Sequence, residues 1–253
     1  MSSRWLCLNL LSLVCVTGVG LAQGVDPVYE RILLPITSAD TPGVFGALWT
    51  TEVWVRNDSD QPVAIFPLTI TDATNPPKST WPLAIFRPPP DAPPGQFIYV
   101  SRDRADAVRF NVRVFDANQT DRGFGVEIPV VRERGFFHDR LVLFNIPTGA
   151  ETRAALRVYG TPDSNGGQVR LRIFDTNGSE PVVDVPMRLQ SRVPLFYNPV
   201  YAQILSLTTM FPAIRTLERV RVELTIEQGS FDIWAFVTLT SNVTNAITTV
   251  TPQ

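Results

Sequence analysis

The sequence predicts an all-β protein: two tandem antiparallel β-sandwich domains behind a cleaved signal peptide. Three observations carry this. Several segments alternate strictly between aliphatic and polar residues, no cysteine occurs beyond Cys15, and a strand-plus-turn motif recurs 59 positions further on.

The chain opens with an export leader. Arg4 supplies a positive start, Leu6 to Val16 form a short apolar run, and Gly20 and Ala22 give the small residues that precede a signal-peptidase cut before Gln23. The run is too short to span a bilayer comfortably, which takes about 20 apolar residues. Cys15 follows Val14 rather than a small residue, so no lipid anchor is expected. The expected divisions are residues 1–22 as signal peptide, 23–133 as one sandwich and 134–253 as another. About 231 residues remain after the cut, more than one domain of ~100–150 residues and suited to two.

Cys7 and Cys15 both lie in the leader, so the mature chain has no disulfide, thiolate metal site or cysteine nucleophile to call on. The 22 basic and 24 acidic residues are mixed along the chain, without the concentrated basic footprint that nucleic-acid binding requires. With 44% hydrophobic and 18% charged residues, the composition is that of a folded globule. No second long apolar segment follows the leader, so no membrane span is expected in the mature chain.

Strands follow from a period of two. Val108–Val114, Val169–Ile173 and Val220–Ile226 place aliphatic side chains on one face and charged or polar ones on the other. Turn residues punctuate them at Asn57-Asp58-Ser59-Asp60, Asp116-Ala117-Asn118, Asp175-Thr176-Asn177-Gly178 and Gln228-Gly229. Met210 to Leu217 is the one place where a short helical turn is expected.

The repeat is Arg-aliphatic-Phe-Asp-x-Asn, ending at Asn118 and again at Asn177. Ile128-Pro129-Val130 then resembles Val185-Pro186-Met187, and upstream Trp49–Asn57 resembles Phe137–Asn145. Two copies fit two similar domains. The first copy is longer by a Pro-rich insertion near 74–96, read as a surface loop with a strand near Trp81 to Phe86, because proline lacks the ladder donor. The boundary is expected near Val131 to Gly135.

No catalytic constellation emerges. His138 is the only histidine; Asp139 beside it would point to the opposite face of a strand, and no Gly-x-Ser-x-Gly elbow is present. Glu52, Glu127, Glu133, Asp175 and Asp184 are available for carboxylate chemistry, but no spacing singles out a pair. The oxygen-rich loops at 116–121 and 175–180 lack the twelve-residue calcium pattern and read as turns that bond their own backbone. Catalytic residues, metal ligands and cofactors are therefore expected to be none.

The aromatic residues point to surface contact instead. Alternation in Trp49–Arg56 puts Trp49, Thr51, Val53 and Val55 on the core face, and Thr50, Glu52, Trp54 and Arg56 on the other. Two arrangements fit Trp54. Either it stands exposed as a stacking platform for a sugar ring or partner, with Arg56 and Trp81, or the insertion carrying Trp81 covers it. Asp232–Val237 is apolar on both faces, which predicts burial on both, with the other domain as the expected cover.

Arg31-Ile32-Leu33-Leu34-Pro35, Gly43–Glu52 and Trp234-Ala235-Phe236-Val237 running on to Asn242-Val243-Thr244 and Pro252-Gln253 resemble a loose group of secreted bacterial tandem β-sandwich proteins, with a broader likeness to immunoglobulin-like and fibronectin-like modules. The resemblance spans most of the mature chain. It implies export and a sandwich, and brings no activity, cofactor or catalytic residue. The Cys…Trp…Cys hallmark of antibody domains is missing, which leaves strand topology open.

The expected function is that of a non-enzymatic secreted or cell-envelope protein acting in adhesion, scaffolding or protein–protein interaction, with a protein or glycan partner at the cell surface. A carbohydrate-binding module using Trp54 and Trp81 is one alternative, an exported carboxylate-dependent hydrolase another. Oligomeric state is not legible.

Overall fold

The computed structural model describes residues 28–37, 41–42, 46–66, 73–83, 95–118, 125–161, 167–190, 198–244 and 246–252. The expected signal peptide and the proline-rich stretch 84–94 lie outside the described residues. The fold is all-β, with every strand pair antiparallel. No helix among the described residues is long and apolar enough to cross a membrane.

The first half carries β1 (Tyr29–Leu34), β2 (Thr41–Pro42), β3 (Leu48–Asn57), β4 (Val63–Phe66), β5 (Ala73–Asn75), β6 (Thr80–Pro82), β7 (Gln96–Ser101), β8 (Val108–Asp116), β9 (Val126–Ile128) and β10 (Val131–Arg132). They form two sheets, one ordered β10-β1-β7-β4-β5 and the other β2-β3-β8-β9 with β6 also on β3. The second half carries β11 (Arg140–Pro147), β12 (Thr152–Gly160), β13 (Gly167–Asp175), β14 (Pro181–Leu189), β15 (Val200–Ile204), α1 (Leu207–Met210), β16 (Arg219–Gln228), β17 (Ile233–Ser241) and β18 (Ile247–Val250). Its sheets are ordered β11-β16-β13-β14 and β15-β12-β17-β18. Among the described residues no ladder pairs a strand up to β10 with one after it.

The alternating segments form the strands they predict. In β8, Val108, Val112 and Val114 are buried and Arg109 is exposed; in β13, Val169, Leu171 and Ile173 are buried beneath half-exposed arginines. The shared Phe-Asp ending has a local cause. Asp116 Oδ1 accepts from the backbone N–H groups of Leu48 (2.8 Å) and Asn118 (3.0 Å), so it caps a turn and ties it to β3. The carbonyl of Asp175 accepts from Gly178 N at 2.9 Å. The helical turn expected at Met210 to Leu217 is a 3-10 helix at Pro212–Thr216, preceded by α1, whose Ser206 caps Thr209 N.

Sheet position, however, revises which segments correspond. The β8–β9 and β13–β14 hairpins match as the repeat implies. The strand beside β8 is β3, with Trp49 opposite Asp116; the strand beside β13 is β16, with Val220 opposite Asp175. The counterpart of β3 is therefore β16, not the segment Phe137–Asn145, whose strand β11 lies on the far side of β16. In the companion sheets β1-β7-β4-β5 corresponds to β15-β12-β17-β18. The second half starts with β11, which lies on β16 where β6 lies on β3, and then runs through the positions in the order β7, β8, β9, β1, β3, β4, β5, a circular permutation of the first.

Two buried clusters hold the sheets together. One gathers second-half residues such as Leu141, Leu156, Leu171 and Val222. The other gathers Ile32, Val53, Ile65, Ile98 and Val112 of the first half, and also Tyr159, Tyr201, Trp234 and Phe236. This explains Asp232–Val237: Ile233, Ala235 and Val237 face the second cluster, while Trp234 and Phe236 enter the first. Tyr159 stacks with both rings at 6.3 Å.

Candidate functional site

The outward face of β3, β8 and β9 is laid out by register. Val53 and Val55 point into the core, which turns Glu52, Trp54 and Arg56 outward. Directly opposite on β8 stand Arg113, Asn111 and Arg109 in that order, and Glu127 of β9 faces Arg113. Trp54 is 37% exposed. Its indole N–H donates to the Glu52 carboxylate, which fixes the ring along the strand. On its other side β6 sets Pro82 opposite Trp54 and Thr80 opposite Arg56, whose guanidinium donates to Thr80 Oγ1 at 3.1 Å.

Arg56 and Arg109 sit directly across the ladder, a like-charge pair that is unfavourable on its own. Asp58 resolves it, accepting from Arg109 Nε at 2.9 Å and from Arg56 Nε at 2.7 Å. These bonds, to Arg109 first and then Arg56, hold the Asp58 carboxyl below the usual carboxylate range. The floor around the indole is thus charge-compensated at one end and offers Asn111, Arg113 and Glu52 beside the ring.

Trp81 is 51% exposed but pairs with Val55, so it leans from the edge strand toward the opposite side of the sheet. Trp54 and Arg56 share a face and Trp81 does not join them; the proline-rich stretch of the insertion that the sequence offered as a cover for Trp54 lies outside the described residues. Asn111, Arg113 and Asp58 complete the surface. The alternation of Val108–Val114 already turns Asn111 and Arg113 outward, and only the pairing with β3 was needed to place them.

The corresponding face of the second half shows what Trp54 replaces. By register its position is held by Thr225, opposite Arg170. There Arg170 and Arg172 both reach Asp184, Arg140 and Arg221 reach Glu223, and Arg221 lies 4.4 Å over the Phe174 ring. Ion pairs cross that face around Thr225, where the first half sets the indole of Trp54.

A second polar place lies where the halves meet. A cavity of about 320 Å³ is lined by Arg31, Glu133, His138, Ser230 and Asp232 among others. His138 Nδ1 lies 2.6 Å from Asp232 Oδ1, held there by the backbone bridge between Phe137 and Ile233. Asp232, not the neighbouring Asp139, is the histidine's partner. Each carboxylate in this cavity already has a partner: Asp232 lies against His138, and Glu133 is bonded to Arg31 at 2.5 Å. Among the described residues no group of three histidine, cysteine or acidic side chains is placed to hold a metal ion.

No family model, no curated protein and no solved structure matches the chain.

Proposed function

We propose that the chain is a non-enzymatic secreted or cell-envelope β-sandwich protein that works by surface contact, and that it binds a glycan through the outer face centred on Trp54. The observation that carries this reading is the exposed indole on an otherwise polar sheet face, flanked by Asn111, Glu52 and Arg113. An aromatic face stacks on the C–H surface of a sugar ring, while amide, guanidinium and carboxylate groups beside it satisfy the hydroxyls. In the second half the position of Trp54 is held by Thr225 among ion pairs, and the exposed ring on that face is Phe144 of β11, which has no polar N–H of its own. Export rests on the leader sequence.

The test is a glycan array with the full chain, followed by titration of the best hit. Trp54→Ala is expected to weaken binding by roughly tenfold or more while the melting temperature stays within a degree or two, because the side chain lies outside the core. Trp81→Ala, on the other side of the sheet, is expected to leave binding unchanged. Absence of any glycan signal, together with a protein partner lost on Trp54→Ala, would replace the glycan by a protein and keep the face. Binding indifferent to Trp54 removes the face from the reading.

A further inference from the structure

In the first half, β10 follows β9 after only two residues and adds to the outer edge of β1, with Ile32 opposite Arg132 and Leu33 opposite Val131. That strand closes the side of the sandwich. In the second half the same two positions are β14 and β15. Among the described residues, what links them along this side is a single bridge, Gln190 to Tyr201. A groove of about 1010 Å³ lies between the two strands and reaches the core residue Leu171.

The walls are apolar: Val185 and Met187 from β14, Ala202 and Ile204 from β15, and Met210 and Phe211 from α1 and the residue after it. Leu205 and Met210 are 64% and 59% exposed, among the most exposed large apolar side chains of the described residues. Both methionines of the chain other than Met1 stand here, and their flexible thioethers adapt to varied apolar partners.

The backbone along the groove argues against a peptide strand as occupant. Pro181 and Pro186 deprive β14 of donors, a standard way of blunting a free edge. On β15, the N–H and carbonyl of Tyr201 are already used by Gln190. A hydrocarbon chain needs none of these groups. Among the described residues lining the groove, Arg188 on the β14 rim is the one that is charged, and its side chain makes no hydrogen bond or ion pair there. An apolar groove with an uncommitted cation at its rim is complementary to an apolar chain that ends in an anion.

We infer that this groove binds a free long-chain carboxylate, with the alkyl chain between β14 and β15 and the carboxylate at Arg188. The site is separate from the Trp54 face, and either assignment can fail without the other.

The experiment is a fluorescence titration of the full chain with a dansyl-labelled undecanoic acid, followed by displacement with dodecanoate, dodecanol and dodecyltrimethylammonium. Saturable binding is expected, with dodecanoate displacing the probe best. Arg188→Gln is expected to weaken dodecanoate roughly tenfold and to leave dodecanol within about twofold. Met210→Asp is expected to abolish the binding of both. Arg188 and Met210 are exposed, so neither change threatens the fold, and an unchanged melting temperature confirms this. Absence of saturable binding, equal displacement by the cationic amphiphile, or an Arg188→Gln variant that loses dodecanoate and dodecanol alike would each overturn the assignment.

Discussion

The phenol of Tyr159 donates a 2.5 Å hydrogen bond to the backbone carbonyl of Pro35, 124 positions earlier in the chain. Both groups are buried, and the ring lies among Trp234 and Phe236 in the cluster shared by the two halves. Tyr159→Phe leaves that carbonyl without its donor, with an expected cost of about 1–3 kcal/mol. Trp234→Ala empties a larger volume, with an expected cost of about 3–5 kcal/mol. Chemical denaturation followed by tryptophan fluorescence and circular dichroism is expected to show one shared transition. Two separated transitions would contradict a common core.

The same tyrosine sets an alkaline limit. Complete burial pushes its phenol well above the ordinary value of 10.0. Below about pH 10 the phenol is neutral in folded and unfolded chains alike. Above it the unfolded chain ionises and gains free energy that the folded chain does not, so stability falls as pH rises. Melting temperatures measured from pH 8 to 12 are expected to drop more steeply in the wild type than in Tyr159→Phe.

Phe231 rests on two glycines. A Cβ at Gly167 would meet its ring at 1.9 Å, and one at Gly160 would meet it at 2.9 Å and Val200 at 2.7 Å. Gly167→Ala is therefore expected to destabilise by about 1–3 kcal/mol through overpacking. Because the clash is with a single side chain, adding Phe231→Leu should recover part of the loss. A double variant no better than Gly167→Ala would place the strain in the backbone instead.

The seam between β1 and β10 is built on charge. Arg31 and Glu133 pair at 2.5 Å with side chains only 11% and 6% exposed, and on the neighbouring position Glu30 pairs with Arg132 at 2.9 Å. Removing one partner strands the other away from water, so Glu133→Ala is expected to cost about 3–5 kcal/mol in urea unfolding. Replacing both Arg31 and Glu133 by methionine should cost much less than the single change.

Strand faces were legible because a period of two is written directly in residues such as Val108 to Val114 and Val220 to Ile226. Neighbours were not, because alternation says which way a side chain points and nothing about which strand lies beside it. Trp49–Asn57 and Phe137–Asn145 look alike as isolated strands, yet β16 takes the place beside β13. Trp54 was placed outside the core by parity alone. Trp81 pairs with Val55 rather than joining Trp54 on its face, and the three residues of β6 carry no alternation that could show this in the sequence. His138 found its acid 94 positions away, through a single backbone bridge that leaves no trace in composition.

The permuted strand order has a consequence for how the sheets are specified. A chain entering at the β1 position and one entering at the β6 position arrive at the same arrangement of neighbours. The hairpins β8–β9 and β4–β5, with their counterparts β13–β14 and β17–β18, are contiguous in both orders and local enough to form early, and the remaining strands can dock on them from either end of the chain. The connections can be rerouted while the adjacency of strands is kept, so a second half rebuilt in the first half's order would have the same sites to fill.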